Sequence, residues 1–156
     1  GNSASRGGAV YCSSFVQVTL LSQSTLSKNS AWIAGGGIAA PEGNVAVVLH
    51  EAVLRENEAT QQGGAIFAAA GSMVTVQGET RLEGNRATYG EGGGVHVRTG
   101  CQLRVGDSVS FAENKAPDVG GGIYGLASAV EIDGEPRFEG NIALRGGAVA
   151  VQQGQV

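Results

Sequence analysis

Aromatic residues make up only 5% of this 156-residue chain, whereas 27 positions are glycine. With so few large side chains, the interior has to be thin and filled by Val, Ile, Leu and Ala. Lysine is nearly missing: Lys28 and Lys115 stand beside eight arginines, and the net charge is −4. Charges are scattered singly, so there is no basic stripe to neutralise phosphates, and nucleic acid is excluded as an expected partner. No apolar run approaches the ~20 residues that span a bilayer, so this segment is not expected to insert into a membrane. No charged start leads into a hydrophobic signal segment either. Cysteine occurs twice, as Cys12 and Cys101. They fall in different repeats, roughly 14 Å apart if each repeat is one coil, too far for a disulfide. Cys12 is expected as a small buried side chain and Cys101 as a turn thiol.

What the chain does have is a repeat. A motif GG(A or G)(V or I) opens at Gly7, Gly35, Gly63, Gly92, Gly120 and Gly146. A second motif, Leu or Phe followed three residues later by Asn and two later by Ala, places Asn29, Asn57, Asn85, Asn114 and Asn141. The distance from opening Gly to Asn is 22, 22, 22, 22 and 21 residues, and the full period is 28, 28, 29, 28 and 26. Length differences gather after Asn-x-Ala, as expected of a surface turn that absorbs insertions. Asn2-Ser3-Ala4 matches Asn29-Ser30-Ala31, and Val156 follows a sixth GG. Residues 1–156 are therefore expected to be a single repeat segment, begun and ended in mid-repeat, within a longer protein.

Each period reads as three short strands and three turns. After each GG comes a β-branched residue: Val10, Ile38, Ile66, Val95, Ile123 and Val149. The next position varies: Tyr11, Ala39, Phe67, His96, Tyr124 and Ala150. Alternation along a strand makes the constant position inward and the variable one outward. The second glycine of each pair then also points inward, where a missing side chain permits close approach of the opposite wall. The second strand carries Val18 and Leu20, Ala46 and Val48, Val74 and Val76, Leu103 and Val105, Val130 and Ile132. The third supplies Leu26, Leu54, Leu82, Phe111 and Phe138. Antiparallel hairpins would not repeat one three-strand unit at this period. A unit this small cannot bury its own apolar face, but stacked parallel units can. The expected fold is all-β, a parallel β-helix of about 5.5 coils of ~28 residues, right-handed by the general rule for parallel crossovers. In such a stack the five asparagines form a structural ladder, because an amide carries donors and acceptors together and bonds to its own copy along the axis.

The pairing of GGA(I/V) with (F/L)xxN, as in Gly63-Gly64-Ala65-Ile66 with Leu82-Glu83-Gly84-Asn85 and Phe138-Glu139-Gly140-Asn141 with Gly146-Gly147-Ala148-Val149, resembles the repeats of the chlamydial polymorphic outer membrane proteins. The resemblance covers essentially the whole chain. It implies a right-handed β-helix in the surface-exposed passenger region of an autotransporter, used in adhesion to host cells, and it carries over no catalytic residue.

The residues themselves offer little chemistry. Asp107, Asp118 and Asp133 differ in register, and Glu83 and Glu139 are separated by Ala112, so no catalytic pair is expected and no enzyme is proposed. His50 and His96 fall on different walls, and no metal or cofactor is expected. The most suggestive surface is the outer row of the first strand, Tyr11, Phe67 and Tyr124 with His96 and Arg98, where aligned aromatics stack on sugars or pack on another protein. Trp32 and Tyr89, in the variable turns, form a second patch. The expected role is a non-enzymatic extracellular or cell-surface module, a rigid stalk or adhesin contacting protein or glycan, with the rest of a longer chain or neighbouring subunits capping its ends. The alternative is a scaffold subunit of a filament or cell-surface appendage. A polysaccharide-binding or polysaccharide-cleaving β-helix is a third reading.

Overall fold

A computed structural model describes residues Gly1–Val156. The β-branched residues after each GG are fully buried in the interior coils, and every strand pairs in parallel with its counterpart one period along. The result is a parallel β-solenoid whose coil is the 28-residue repeat. There is no helix.

The coil has four walls rather than the three expected. Wall one holds six strands, Val10–Tyr11, Ile38–Ala40, Ile66–Ala68, Val95–Arg98, Ile123–Leu126 and Val149–Gln152. Wall two runs through Gln17–Leu20, Ala46–His50, Met73–Gln77, Gln102–Val105 and Ala129–Ile132, and wall three through Thr25–Ser27, Val53–Arg55, Arg81–Glu83, Ser110–Ala112 and Arg137–Glu139. Wall four occupies the segment read as a variable turn: Ser3–Arg6, Ser30–Ala34, Glu58–Ala59 and Arg86–Ala87. Its inward residues are Ala31, Ala59 and Ala87. A strand two residues long with only alanine facing in gives no hydrophobic alternation to detect.

One register also differs from expectation. In the second coil the inward pair is Val47 and Leu49, in register with Val74 and Val76, while Ala46 and Val48 face out. From Leu49 to Leu54 is one position fewer than from Val76 to Leu82, so the turn between walls two and three is a residue shorter there. The preceding turn is a residue longer and compensates. Because side chains alternate along a strand, such a one-residue slip exchanges the two faces.

The core is one continuous cluster of aliphatic side chains with Phe111, whose ring stacks on Phe138 of the next coil at 5.1 Å. Cys12 and Cys101 both belong to this cluster as free thiols. Cys101 is thus not a turn thiol at the surface: it precedes Leu103 by two positions and turns inward in line with it. Burial pushes both thiols up from the ordinary value.

The GG pairs mark where the coil is narrowest. The first glycine of each pair has φ between 61° and 65°, the left-handed conformation that a side chain disfavours. The second lies directly against wall four of the next coil. A Cβ on Gly64 would overlap the Gly93 carbonyl and the Arg86 amide, and one on Gly36 would overlap Gly64 and Glu58. Walls one and four therefore meet backbone to backbone at this corner.

Candidate interaction surfaces

Two axial rows flank the aliphatic core. The first is the asparagine row, at the corner between walls three and four. The residue before each asparagine, Lys28, Glu56, Gly84, Glu113 and Gly140, has φ between 52° and 60°, which turns the amide inward. Each Nδ2 donates to the Oδ1 of the next asparagine, at 2.8 Å from Asn29 to Asn57, 3.0 Å from Asn57 to Asn85, and 2.9 Å from Asn85 to Asn114 and from Asn114 to Asn141. The same Oδ1 accepts the backbone N–H of the previous asparagine. The remaining Nδ2 hydrogen goes to the carbonyl of the apolar wall-three residue one coil back: Leu26, Leu54, Leu82 or Phe111. In the interior coils every side-chain donor and acceptor is used, which is what a buried amide requires. Asn2 joins the row through Asn29.

The second row is the outer face of wall one, and here the expectation of an exposed aromatic surface is corrected. Phe67, His96 and Tyr124 do point away from the main core, yet they are only 2%, 0% and 1% exposed. The left-handed glycine corner bends walls four and one toward each other on the outside, and the row fills the resulting indentation. Phe67 packs with Ala34, Ile33 and Ala69 in a small cluster of its own. His96 meets Phe67 edge-on at 5.6 Å and Tyr124 at 4.9 Å. Arg98, half-buried, lies with its guanidinium 5.2 Å from the Phe67 ring centre. The Tyr124 hydroxyl donates to Gln152. Only Tyr11, at the first coil, is 48% exposed, with its hydroxyl on Glu42 at 3.1 Å. The outward direction was legible in the sequence; the indentation was not, because it depends on the angle between two walls.

His96 is the anomaly of this row. Neither ring nitrogen has a hydrogen-bond partner, and the Glu91 carboxylate stops 3.9 Å from Nδ1. Burial, with Arg98 nearby, pushes the imidazole down to about 3, so it is neutral at ordinary pH. Glu91 is held above its ordinary value, first by burial and then by Asp118.

Exposed aromatics lie instead at Phe15, in the turn after the first wall-one strand and 83% exposed, and along the wall-four segment. Trp32, the only tryptophan, is 74% exposed and Tyr89 is 80% exposed. The Thr60 N–H donates to the Ala31 carbonyl and the Tyr89 N–H to the Thr60 carbonyl, so Trp32 and Tyr89 lie two coils apart, Trp32 within its wall-four strand and Tyr89 in the bend that follows Arg86–Ala87. The outward residues of that wall follow in register: Ser30 beside Glu58, Glu58 beside Arg86, Arg86 beside Lys115 and Lys115 beside Ile142.

A concavity of about 860 Å³ opens between walls two and three and is lined wholly by polar residues: Glu79, Arg81, Asp107, Ser108, Ser110, Glu135 and Arg137. Glu79, Asp107 and Glu135 gather there on successive coils, a mixed row that neither the register of the three aspartates nor that of Glu83 and Glu139 reveals. Asp107 is used locally, accepting the Glu135 N–H at 3.1 Å. Glu83 and Glu139 lie on either side of Ala112 in register, as read from the sequence.

A β-solenoid closed by glycine pairs and laddered by asparagine defines the class of protein. Residues 108–126 match the family model described as the Chlamydia polymorphic membrane protein (Chlamydia_PMP) repeat. That stretch contains the wall-three strand Ser110–Ala112, the ladder residue Asn114 and the pair Gly120-Gly121, so the match falls on the same two motifs that define the period. No curated protein and no solved structure is significantly similar to the chain.

Proposed function

We propose that this chain is a non-enzymatic surface module, a rigid β-solenoid that holds a binding wall away from its point of attachment. The observation that carries the reading is the continuous axial stacking: three walls and the asparagine row run through successive coils, and the fourth continues from its strands through single bridges at Lys115 and Ile142. Such a stack resists bending because each coil is bonded to the next around its perimeter. The match to a Chlamydia polymorphic membrane protein repeat supports a location at the cell surface. Trp32 and Tyr89 supply the kind of exposed aromatic area that interfaces use, Trp32 on a strand paired on both sides.

The scaffold alternative required a partner to cover the wall-one aromatics. The chain covers them itself, so wall four is where the two readings separate. The test is binding of the labelled intact chain to cultured animal cells, beside cross-linking of wall four in the native material. Saturable binding that Trp32→Ser and Tyr89→Ser abolish, with unchanged melting, is the expected result. No cell binding, together with reproducible cross-links from wall four to a single neighbouring protein, overturns the adhesive reading in favour of a scaffold.

A further inference from the structure

The wall-four segment carries two features, exposed rings and unpaired cations. Its exposed rings, Trp32 and Tyr89, are roughly 10 Å apart along the axis, two coils at the ~4.8 Å strand spacing. Arg86, three residues before Tyr89 on the same coil, is in register with Lys115 of the next coil, so two cations stand side by side. Neither has a carboxylate partner, a condition they share with Arg6, Arg55, Arg98 and Arg137 but not with Lys28, Arg81, Arg104 and Arg145. Glu58, the carboxylate in register with Arg86, is engaged by the Thr88 hydroxyl at 2.6 Å.

We infer that this wall binds an acidic oligosaccharide lying along the solenoid axis, with sugar rings on Trp32 and Tyr89 and a carboxylate at Arg86 and Lys115. The inference rests on the surface-module reading and names the ligand of the wall that reading uses. Flat exposed rings fit the apolar faces of sugars, and the two-coil interval fits alternate rings of an extended chain. A guanidinium and an ammonium side by side fit a carboxylate. An acidic peptide fits less well. The backbone of this wall is bonded from coil to coil, with the Ala87 N–H donating to the Lys115 carbonyl beyond the last strand, so no edge is free there for a peptide to extend the sheet.

Trp32 is the only tryptophan, so its fluorescence reports on the site directly. The intact chain is titrated with uronic-acid and sialylated oligosaccharides, with neutral chitin oligosaccharide and with oligoglutamate. Expected is a saturable change with the acidic sugars that weakens as salt rises. It should be weaker by about tenfold or more for the neutral sugar, and likewise for the acidic sugars after Arg86→Gln with Lys115→Gln. Arg104→Gln, on wall two, should leave binding unchanged. Melting curves of each variant separate loss of binding from loss of fold. Equal binding of neutral and acidic sugars, tighter binding of oligoglutamate, or no response to any acidic sugar overturns the inference. Cell binding that survives Trp32→Ser and Arg86→Gln removes this wall as the site but leaves the surface-module reading standing. Absence of cell binding by the wild-type chain removes the module reading itself.

Discussion

The asparagine row and the wall-one outer row are built by the same stacking, one residue per coil, and both are buried, yet they obey different rules. In the first row the residue is always asparagine. In the second it is Tyr11, Ala39, Phe67, His96, Tyr124 and Ala150. An amide in the dry interior must find a donor for its oxygen and acceptors for its nitrogen, and in a translational stack its own copy supplies both. Replacing one member therefore damages two coils. A packing row needs only volume, so alanine, phenylalanine, histidine and tyrosine can alternate, with large rings resting on one another and on the walls beside them. His96 is the one polar side chain that the packing row accepts without satisfying it. The lesson is that identity along an axis marks hydrogen bonding, and variety marks packing.

The sharpest way to break this contrast is Asn85→Asp. The shape is kept, but the Nδ2 donor is lost and a charge is placed beside the Leu54 carbonyl. A loss of about 3–5 kcal/mol is expected in denaturant unfolding, with the variant regaining stability as acid neutralises the carboxylate. A flat pH response would contradict the ladder.

Acidification tests the other row. The folded value of His96 lies below the unfolded one of 6.5, so the unfolded chain binds the proton more readily. The stability contributed by the neutral imidazole is intact above about 6.5 and falls as pH drops toward about 3, by at most about 1.4 kcal/mol per pH unit. Glu91 works in the opposite direction. Its raised value means that protonation favours the folded state near its own titration, offsetting part of the loss. The comparison of wild type with His96→Phe isolates the histidine contribution, and parallel pH profiles would count against it.

Asn85→Ala leaves the Asn57 amide and backbone N–H without their acceptor. An expected cost of about 1–3 kcal/mol is read from the shift in denaturation midpoint; a midpoint equal to wild type would remove the ladder as a source of stability. His96→Phe at pH 7 is expected to be neutral or to stabilise by about 1 kcal/mol, since it removes two unpartnered nitrogens and keeps the ring contacts. A loss of about 2 kcal/mol or more, the cost of breaking a buried hydrogen bond, would reveal a partner for the imidazole. The smallest effect belongs to Asn2→Ala. Asn2 is exposed and donates only to Asn29, so a change within about 0.5 kcal/mol is expected.

Much of the molecule follows from its amino-acid order. The period, the parallel stacking, the inward β-branched residue after each GG and the asparagine row could all be read directly, because each rests on chemistry repeated at a fixed interval. Trp32 and Tyr89 were visible as a possible surface, but not as neighbours of Arg86 and Lys115. That depended on wall four, whose short strands face the core only with alanine and leave no periodic signal. The burial of Phe67, His96 and Tyr124 was decided by tertiary structure alone. A strand's alternation says which way a side chain points, whereas the angle between adjoining walls determines whether solvent is there to meet it.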